Sequence, residues 1–534
     1  MKRPPTPGSA ESVRLPGPIA RWVLAASILA SGMAFIDGTA LSVVMPSLQA
    51  DLGADGEGML WVVNGFSLPL AALLLLGGAL GDAFGRKRMF ILGIVVFAAG
   101  SAGCGLAPGL SGLIAARVVQ GLGGALMIPG SLAMLSTHFG PEERGKAIGL
   151  WSAFSVLASA GGPVLGGLLA RAGVWRWVFF VNLPLAAIAL AVLVLRIPAE
   201  RAAGHRSRVD WWGAVAVATG LAALNHGLIQ GARRGLGNPG ILAWLLLGAG
   251  LLVLFVLLQR RVTRPLLPLD VFRSRAMAAS SLLSLLFYTG FHGMLFFLPL
   301  NLIQIQGYDP AVAGLTQLPL MALLVLVSPW AGRIVDRHGP RLPLTLGPAL
   351  AGIGFLLFAL AGVTAGPREF WFRFLPGLLL VGAGLGLTAA PLSTTVMDSV
   401  PPERLGLASG INSTLSRLAG VLAIAAMGSV MMASFDGFLG SRAAGLHLPA
   451  AAAARLAGDS ARLAEARVPA GLGRETSAAV NRAIRESFVD AFGVVALVAA
   501  GLSWIGAAVA ARMLGAGAIA PGIDAADARR TFID

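Results

Sequence analysis

Apolar runs of about twenty residues or more, each closed by a short polar connection, fill this chain almost from end to end. A helix that crosses a bilayer needs about 20 such residues, and on that measure the sequence predicts roughly fourteen spans. They fall at about 21–46, 58–80, 89–107, 111–137, 146–170, 176–196, 211–231, 240–259, 276–303, 311–335, 341–363, 372–397, 404–433 and 489–513. Backbone polar groups in lipid must be satisfied within each segment, so the fold class is an all-α polytopic membrane protein. Only the connection from about 434 to 488 is long. Its stretches Ala450–Arg455 and Thr476–Glu486 have helical character and read as a small extramembrane cap.

Charge placement excludes other classes. Only 12% of the 534 residues are charged, against about a quarter in ordinary globular domains. The net charge of +15 sits in short clusters between apolar runs, not on a basic face interleaved with aromatics, so nucleic acid is not an expected partner. The single Cys104 lies in an apolar run and leaves no disulfide framework or cysteine metal site. The first twenty residues are Pro-rich and basic, and lead into a full-length span without a cleavage site, as in an uncleaved first helix.

Cations also set the orientation. With the N-terminus inside, about 25 Lys and Arg fall on inside loops and tails, about 6 on short outside loops and about 7 on the long connection. Arg86, Lys87, Arg88, Arg260, Arg261, Arg264, Arg273 and Arg275 carry much of that bias. The expected location is the cytoplasmic (inner) membrane of a bacterium, multi-pass, with both termini cytoplasmic.

One polar turn occurs twice. Gly78-Ala79-Leu80-Gly81-Asp82-Ala83-Phe84-Gly85-Arg86-Lys87-Arg88 is matched by Gly332 to Arg341, and both copies read G-x-x-x-D-x-x-G-x-[KR], with Asp336, Gly339 and Arg341 in the second. Internal repeats of this sort mark duplicated transporters. The copies follow spans two and ten, an offset of eight where duplicated six-helix halves would give six. Two six-helix bundles with an inserted pair account for it. The expected division is a tail 1–20, an N-terminal bundle 21–200, an inserted two-helix linker 201–265, a C-terminal bundle 266–513 containing the 434–488 extracytoplasmic loop, and a tail 514–534.

Charge inside a span costs about 2.5–3.5 kcal/mol at the helix centre, so it marks function by default. Asp37, Arg117 and Arg417 are the unambiguous cases. Asp37 precedes Pro46 at the outer end of helix one by nine residues, and Arg117 follows Pro108-Gly109 on helix four by about eight. At 1.5 Å per residue both lie roughly 12–14 Å below the same surface, so they can pair. Two readings fit: an ion pair that only fastens two helices, or a protonation switch in a gap between two moving bundles, in which burial and the guanidinium pull the carboxyl in opposite directions. Gln120, one turn from Arg117, can bond either partner. Arg417 has no acid at its depth and is expected to bind backbone carbonyls, with Asn412 and Ser413 as polar contacts. In helix five, Gly161, Gly162, Pro163, Gly166 and Gly167 make a bendable segment against which another backbone can lie close.

These motifs together resemble the major facilitator superfamily, and within it the fourteen-helix drug–proton antiporter family (EmrB/QacA type). The turn at 78–88 resembles the superfamily's loop between helices two and three. Leu113-x-x-x-Arg117-x-x-Gln120-Gly121-x-Gly123 is similar to the helix-four motif, whose arginine is implicated in proton transfer. Gly162-Pro163-x-x-Gly166-Gly167 resembles the helix-five antiporter motif of exporters, with Ala158 in place of its leading glycine. Asp37, Thr39 and Pro46 resemble the first-helix motif, and Trp175–Pro184 and Ala408-Ser409-Gly410 also match. The resemblance covers residues 20–433. It implies the major facilitator fold, no cofactor beyond a proton gradient, and a cytoplasmic charge clasp in which Asp82 partners Arg144.

Gly140-x-x-x-x-Gly145-Lys146 imitates a phosphate loop, but Ala147 replaces the magnesium-binding hydroxyl and no strand is expected before it. His292 is either a packed histidine or a proton relay. In this fold Phe35, Asn64, Phe66, Tyr288, Phe291, Phe296, Asn301 and Gln304, with His292, would line the central cavity, a set suited to amphipathic organic molecules. Helix ten offers Gln317 rather than an acid, which favours monocationic, neutral or zwitterionic substrates. No metal-ligand cluster or nucleophile triad is apparent, so an enzyme is not expected.

The expected function is proton-coupled efflux of small lipophilic compounds by alternating access, with the lipid bilayer, protons and the substrate as partners. The sequence does not specify a periplasmic adaptor. A dedicated exporter of one endogenous metabolite is the alternative within transport, and a membrane sensor or scaffold that moves nothing is the alternative outside it.

Overall fold

A computed structural model describes residues 17–198, 209–235, 237–263, 265–364, 366–401 and 404–515. Both tails up to residue 16 and from 516, the basic stretch 199–208 and Arg264 lie outside the described residues, as does the side chain of Arg144. Among the described residues, fourteen helices are long and apolar enough to cross a membrane. They are α1 (Ile19–Leu52), α2 (Gly56–Phe84), α3 (Arg86–Leu106), α4 (Leu110–His138), α5 (Lys146–Arg171), α6 (Trp177–Arg196), α7 (Trp211–Gly231), α8 (Pro239–Gln259), α9 (Arg275–Ile305), α10 (Pro310–His338), α11 (Arg341–Ala359), α12 (Leu375–Asp398), α13 (Leu407–Gly445) and α14 (Arg474–Met513). The number agrees with the hydropathy pattern. The last two run well past the expected spans, because their outer ends continue into the cap and take up about half of the 434–488 connection.

An even number of crossings leaves both chain ends on one face, the terminal face, and the segment between α13 and α14 on the other, the cap face. Helices α1 to α6 pack on one another, and α9 to α14 do the same. The two groups meet along α2–α13, α5–α10 and α1–α9. The inserted pair is fastened outside this seam. Helix α7 lies on α2 and α13, where Asn64 Nδ2 donates to Asn225 Oδ1 at 3.1 Å, Ser429 Oγ to the Leu228 carbonyl at 2.5 Å, and Gln230 to Glu57. Helix α8 packs mainly on α7, and only 17% of its apolar window is buried.

Both copies of the polar turn sit on the terminal face, and each uses its second glycine to reverse the chain. Gly85 has φ +100° and Gly339 φ +76°, values that a residue with a Cβ adopts only with strain. Their charges behave differently. Asp82 accepts from Arg86 at 3.0 Å, Arg86 also donates to Thr137 Oγ1 at 2.6 Å, and Lys87 caps the Ile197 carbonyl at 2.5 Å. The turn thus ties α2, α4 and α6 together, while Arg88 is exposed. The side chains of Asp336 and Arg341 make no hydrogen bond or ion pair among the described residues.

Candidate functional site

Asp37 and Arg117 meet inside the first group of helices. Arg117 Nη1 lies 2.5 Å from Asp37 Oδ2, and the two residues are 0% and 1% exposed, so this pair is shut off from lipid and water alike. Counting residues down α1 and α4 brings them level; packing aims them at each other. Further hydrogen bonds hold both side chains of the pair. Gln120 Nε2 donates to Asp37 Oδ1 at 2.9 Å, Arg117 Nη1 donates to Gln120 Oε1 at 2.8 Å, and Arg117 Nε donates to the Val62 carbonyl at 3.2 Å. The guanidinium lies over the Phe66 ring, 4.5 Å from its centroid.

Two further side chains complete the network. Asn182 Nδ2 lies 3.5 Å from Asp37 Oδ1 and donates to Ser101 Oγ at 2.9 Å; Ser101 Oγ donates to the Phe179 carbonyl at 2.8 Å. Neither residue stands out among candidate site residues in the sequence. The signal available is modest: two small polar groups within apolar runs, Asn182 inside the Trp175–Pro184 segment. Burying an ion pair in this way is affordable only with such supporting bonds, since removing one partner of a buried pair costs about 3–5 kcal/mol. The pair does not sit between two bundles, as expected of a switch at their boundary. Helices α1, α2, α3, α4 and α6, all of one group, enclose it, because Gly65, Gly100 and Gly121 let α2, α3 and α4 close to backbone contact around it.

The glycines of α5 work at the seam. A Cβ at Gly162 would lie 2.9 Å from the Ile36 carbonyl oxygen and collide with Thr39, and one at Gly166 would lie 2.6 Å from the Ala40 carbonyl oxygen. A Cβ at Gly167 would instead lie 2.8 Å from Ala311 Cα on α10, where Gly314 in turn rides on Pro163. One motif therefore presses α5 onto α1 on one side and onto the opposite helix group on the other. Nearby, on the cap face, Gln304 Nε2 donates to Gln49 Oε1 at 2.9 Å, Gln49 Nε2 to the Arg462 carbonyl at 3.1 Å, and Arg171 lies 3.5 Å from Asp309.

The family profile described as Major Facilitator Superfamily matches residues 27–424. This chain belongs to the major facilitator superfamily. Among curated superfamily relatives, the multidrug resistance protein Stp of Mycobacterium tuberculosis is 35% identical over 406 residues, covering 75% of this chain and 74% of its own. The tetracenomycin C resistance and export protein of Streptomyces glaucescens is 31% identical over 486 residues, covering 90% and 88%. The puromycin resistance protein pur8 of Streptomyces alboniger is 34% identical over 433 residues, covering 80% and 86%. Among solved structures, the peptide transporter PepTSo aligns over 93% of this chain and 99% of its own with a TM-score of 0.62 at 16% identity. A bacterial homologue of the human lysosomal transporter Spinster, inward-facing and unoccupied, aligns over 92% and 98% with a TM-score of 0.59 at 20% identity. These structures share the fold. The chain is thus a multi-pass membrane protein of a transporter superfamily.

Placed on this superfamily fold, the expected cavity set divides. Phe35, Tyr288 and His292 are only half-buried at mid-helix. Phe66 is 4% exposed and belongs under Arg117; Asn64 is fully buried and faces the inserted pair. Phe291 and Phe296 are packed into the main apolar core, Phe296 edge-on to Phe297. Asn301 accepts from Gln306 and Gln304 bonds Gln49, both near the cap face and not at midplane. Those six are corrections, with one physical cause: α2 and α9 are buried on several sides, so an aromatic or amide on them has more than one apolar surface to face. Arg417 is a correction too. Its side chain makes no hydrogen bond to a carbonyl among the described residues, and Asn412 is occupied elsewhere, accepting from Ser284 at 3.1 Å. His292 Nδ1 lies 2.8 Å from the Tyr288 carbonyl, an ordinary helical contact for that nitrogen.

Proposed function

We propose that this protein is a proton-coupled exporter of small lipophilic compounds in a bacterial cytoplasmic membrane, with both termini in the cytoplasm. The observation that carries the coupling is the fully buried Asp37–Arg117 pair with Gln120 as a common partner. Protonating Asp37 cancels its attraction to Arg117, while Arg117 keeps the Val62 carbonyl and Gln120 Oε1. What then loosens is the hold of α4 on α1. Helix α1 lies against α5 through Gly162 and Gly166, and against α9 of the other group. A change in its tilt therefore reaches the seam on which alternating access depends. The energy source fits: one charge crossing 100 mV contributes about 2.3 kcal/mol, and a pH gradient adds to it.

The orientation is supported by the excess of Lys and Arg on the terminal face. The exported class is supported by the relatives, named for resistance to several drugs or to one. Export of a single compound made by the cell is the second reading, favoured by the relative named for tetracenomycin C resistance and export. The test is transport in proteoliposomes with a defined pH gradient. Wild type should move dye and release protons together, and Asp37→Asn should do neither while remaining monodisperse. Undiminished efflux by Asp37→Asn would refute the coupling.

A further inference from the structure

Arg417 is a charge with nothing to neutralise it. It stands twelve residues into the helix that begins at Leu405, about 18 Å along a 41-residue element, well inside the membrane-spanning part. It is half-buried, and among the described residues it makes no hydrogen bond and no ion pair. No acid of a neighbouring element pairs with it among the described residues. Helix α9 contains no Asp or Glu at all, α13 has only Asp436, nineteen residues away, and the mid-helix acid of α1, Asp37, is held by Arg117.

The guanidinium reaches across to the other helix group, where it lies over the Phe35 ring of α1, 5.8 Å from the centroid. One turn along α1 from Phe35, Gly38 is exposed, and a Cβ there would meet nothing within 4 Å. Helix α1 is packed by α4, α5, α6 and α9, and Arg417 approaches it from α13 of the other group. On the α9 side, His292 lies over Gly420, one turn from Arg417: a Cβ at Gly420 would be 3.6 Å from its Cγ. The Tyr288 ring is 5.8 Å from that of His292, and the Tyr288 hydroxyl carries no hydrogen bond among the described residues.

A guanidinium cannot shed its proton to escape burial, so a cavity holding one unpaired is most stable when a ligand supplies the anion. We infer that Arg417, flanked by Phe35, His292 and Tyr288, is a substrate-binding site selective for aromatic organic anions, carboxylates above all. Arg417 pairs with the carboxylate, Phe35 lies against the ring, and the Tyr288 hydroxyl supplies a further donor. An anion lies outside the monocationic, neutral and zwitterionic classes that the missing acid of α10 favours in the sequence. It rests on the exporter reading and narrows it to a substrate class.

The test uses two xanthene dyes of similar skeleton and opposite charge at neutral pH, fluorescein and rhodamine 123, bound to purified full-length protein and read by polarisation. Wild type should prefer fluorescein. Arg417→Gln should weaken fluorescein about tenfold or more, leave rhodamine 123 unchanged or tighter, and Arg417→Lys should recover most of the loss. Equal or better binding of rhodamine 123 by wild type would overturn the inference, as would unchanged fluorescein binding in Arg417→Gln. The wild-type ratio needs no variant, so it decides the matter even if Arg417→Gln fails to fold. Dye efflux in proteoliposomes separates the two proposals. Efflux without preference for fluorescein removes the anion site and leaves the exporter; selective fluorescein binding without efflux supports the site and removes the exporter.

Discussion

Asp37 and Thr39 stand two residues apart on α1 and face different neighbours: the Asp37 carboxylate meets Arg117 of α4 at 2.5 Å, while Thr39 abuts Gly162 of α5. At 100° per residue, two steps turn the helix by roughly 200°. A single turn of helix thus joins a buried ion pair on one side to the hinge-like α5 on the other. Phe35, two residues before Asp37, reaches Arg417 in the opposite helix group.

The ion pair should behave as a unit in stability as well as in transport. Arg117→Ala leaves Asp37 buried with only Gln120 and Asn182, and should cost about 3–5 kcal/mol. Adding Asp37→Asn to Arg117→Ala should restore a large part of that loss, because no uncompensated charge remains. Thermal unfolding of the purified single and double variants gives the coupling; strictly additive losses would show that the two side chains do not depend on each other.

Substitutions along α5 should separate by what each glycine touches. Gly162→Ala and Gly166→Ala force α5 off α1 and should destabilise by about 1–3 kcal/mol, with loss of efflux. Gly161→Ala, where a Cβ meets nothing within 4 Å, should change neither. Gly167→Ala presses on α10 instead and should impair efflux by holding the two groups apart at the cap face. Melting temperature and dye efflux measured side by side check the series.

Opening at the cap face should be required for turnover. Gln49 and Gln304 bond each other across the seam. With cysteines at both positions, a short bifunctional thiol reagent should stop efflux, while either single cysteine should remain active after the same treatment. The native Cys104 is buried and should not react. Efflux that survives complete cross-linking would show that this contact need not open.

The cap should dock more firmly in mild acid. Burial pushes the Glu465 carboxyl above its ordinary range, outweighing Arg462 and the Gln304 amide beside it. A raised carboxyl pKa means that the docked form binds a proton more tightly than the released form. Docking is thus strongest below that raised pKa and weakens as pH rises through it. Hydrogen-exchange protection over residues 460–466, taken relative to the intrinsic exchange rate at each pH, should rise between neutral and mildly acidic buffer, and Glu465→Gln should abolish the difference.

Helix number, the doubled turn and the common depth of Asp37 and Arg117 were all readable from the chain alone, because length and spacing are one-dimensional quantities that the bilayer converts directly into position. Facing was not. Lipid tails and a helix interior are equally apolar, so side chains on a spanning helix carry little sign of which they meet. Asn64 and Phe66 sit two residues apart on α2, and only packing sends one to the inserted pair and the other beneath Arg117. Likewise, the sequence identifies Arg417 as a charge that needs a partner, but the absence of one, and the open space beside Gly38 that it shares with Phe35, exist only once α1, α9 and α13 are brought together. The sequence alone determined how many helices cross the membrane and how deep Asp37 and Arg117 lie along its normal. Rotation about each helix axis was left to tertiary contact, since hydrophobicity in a membrane constrains depth and not azimuth.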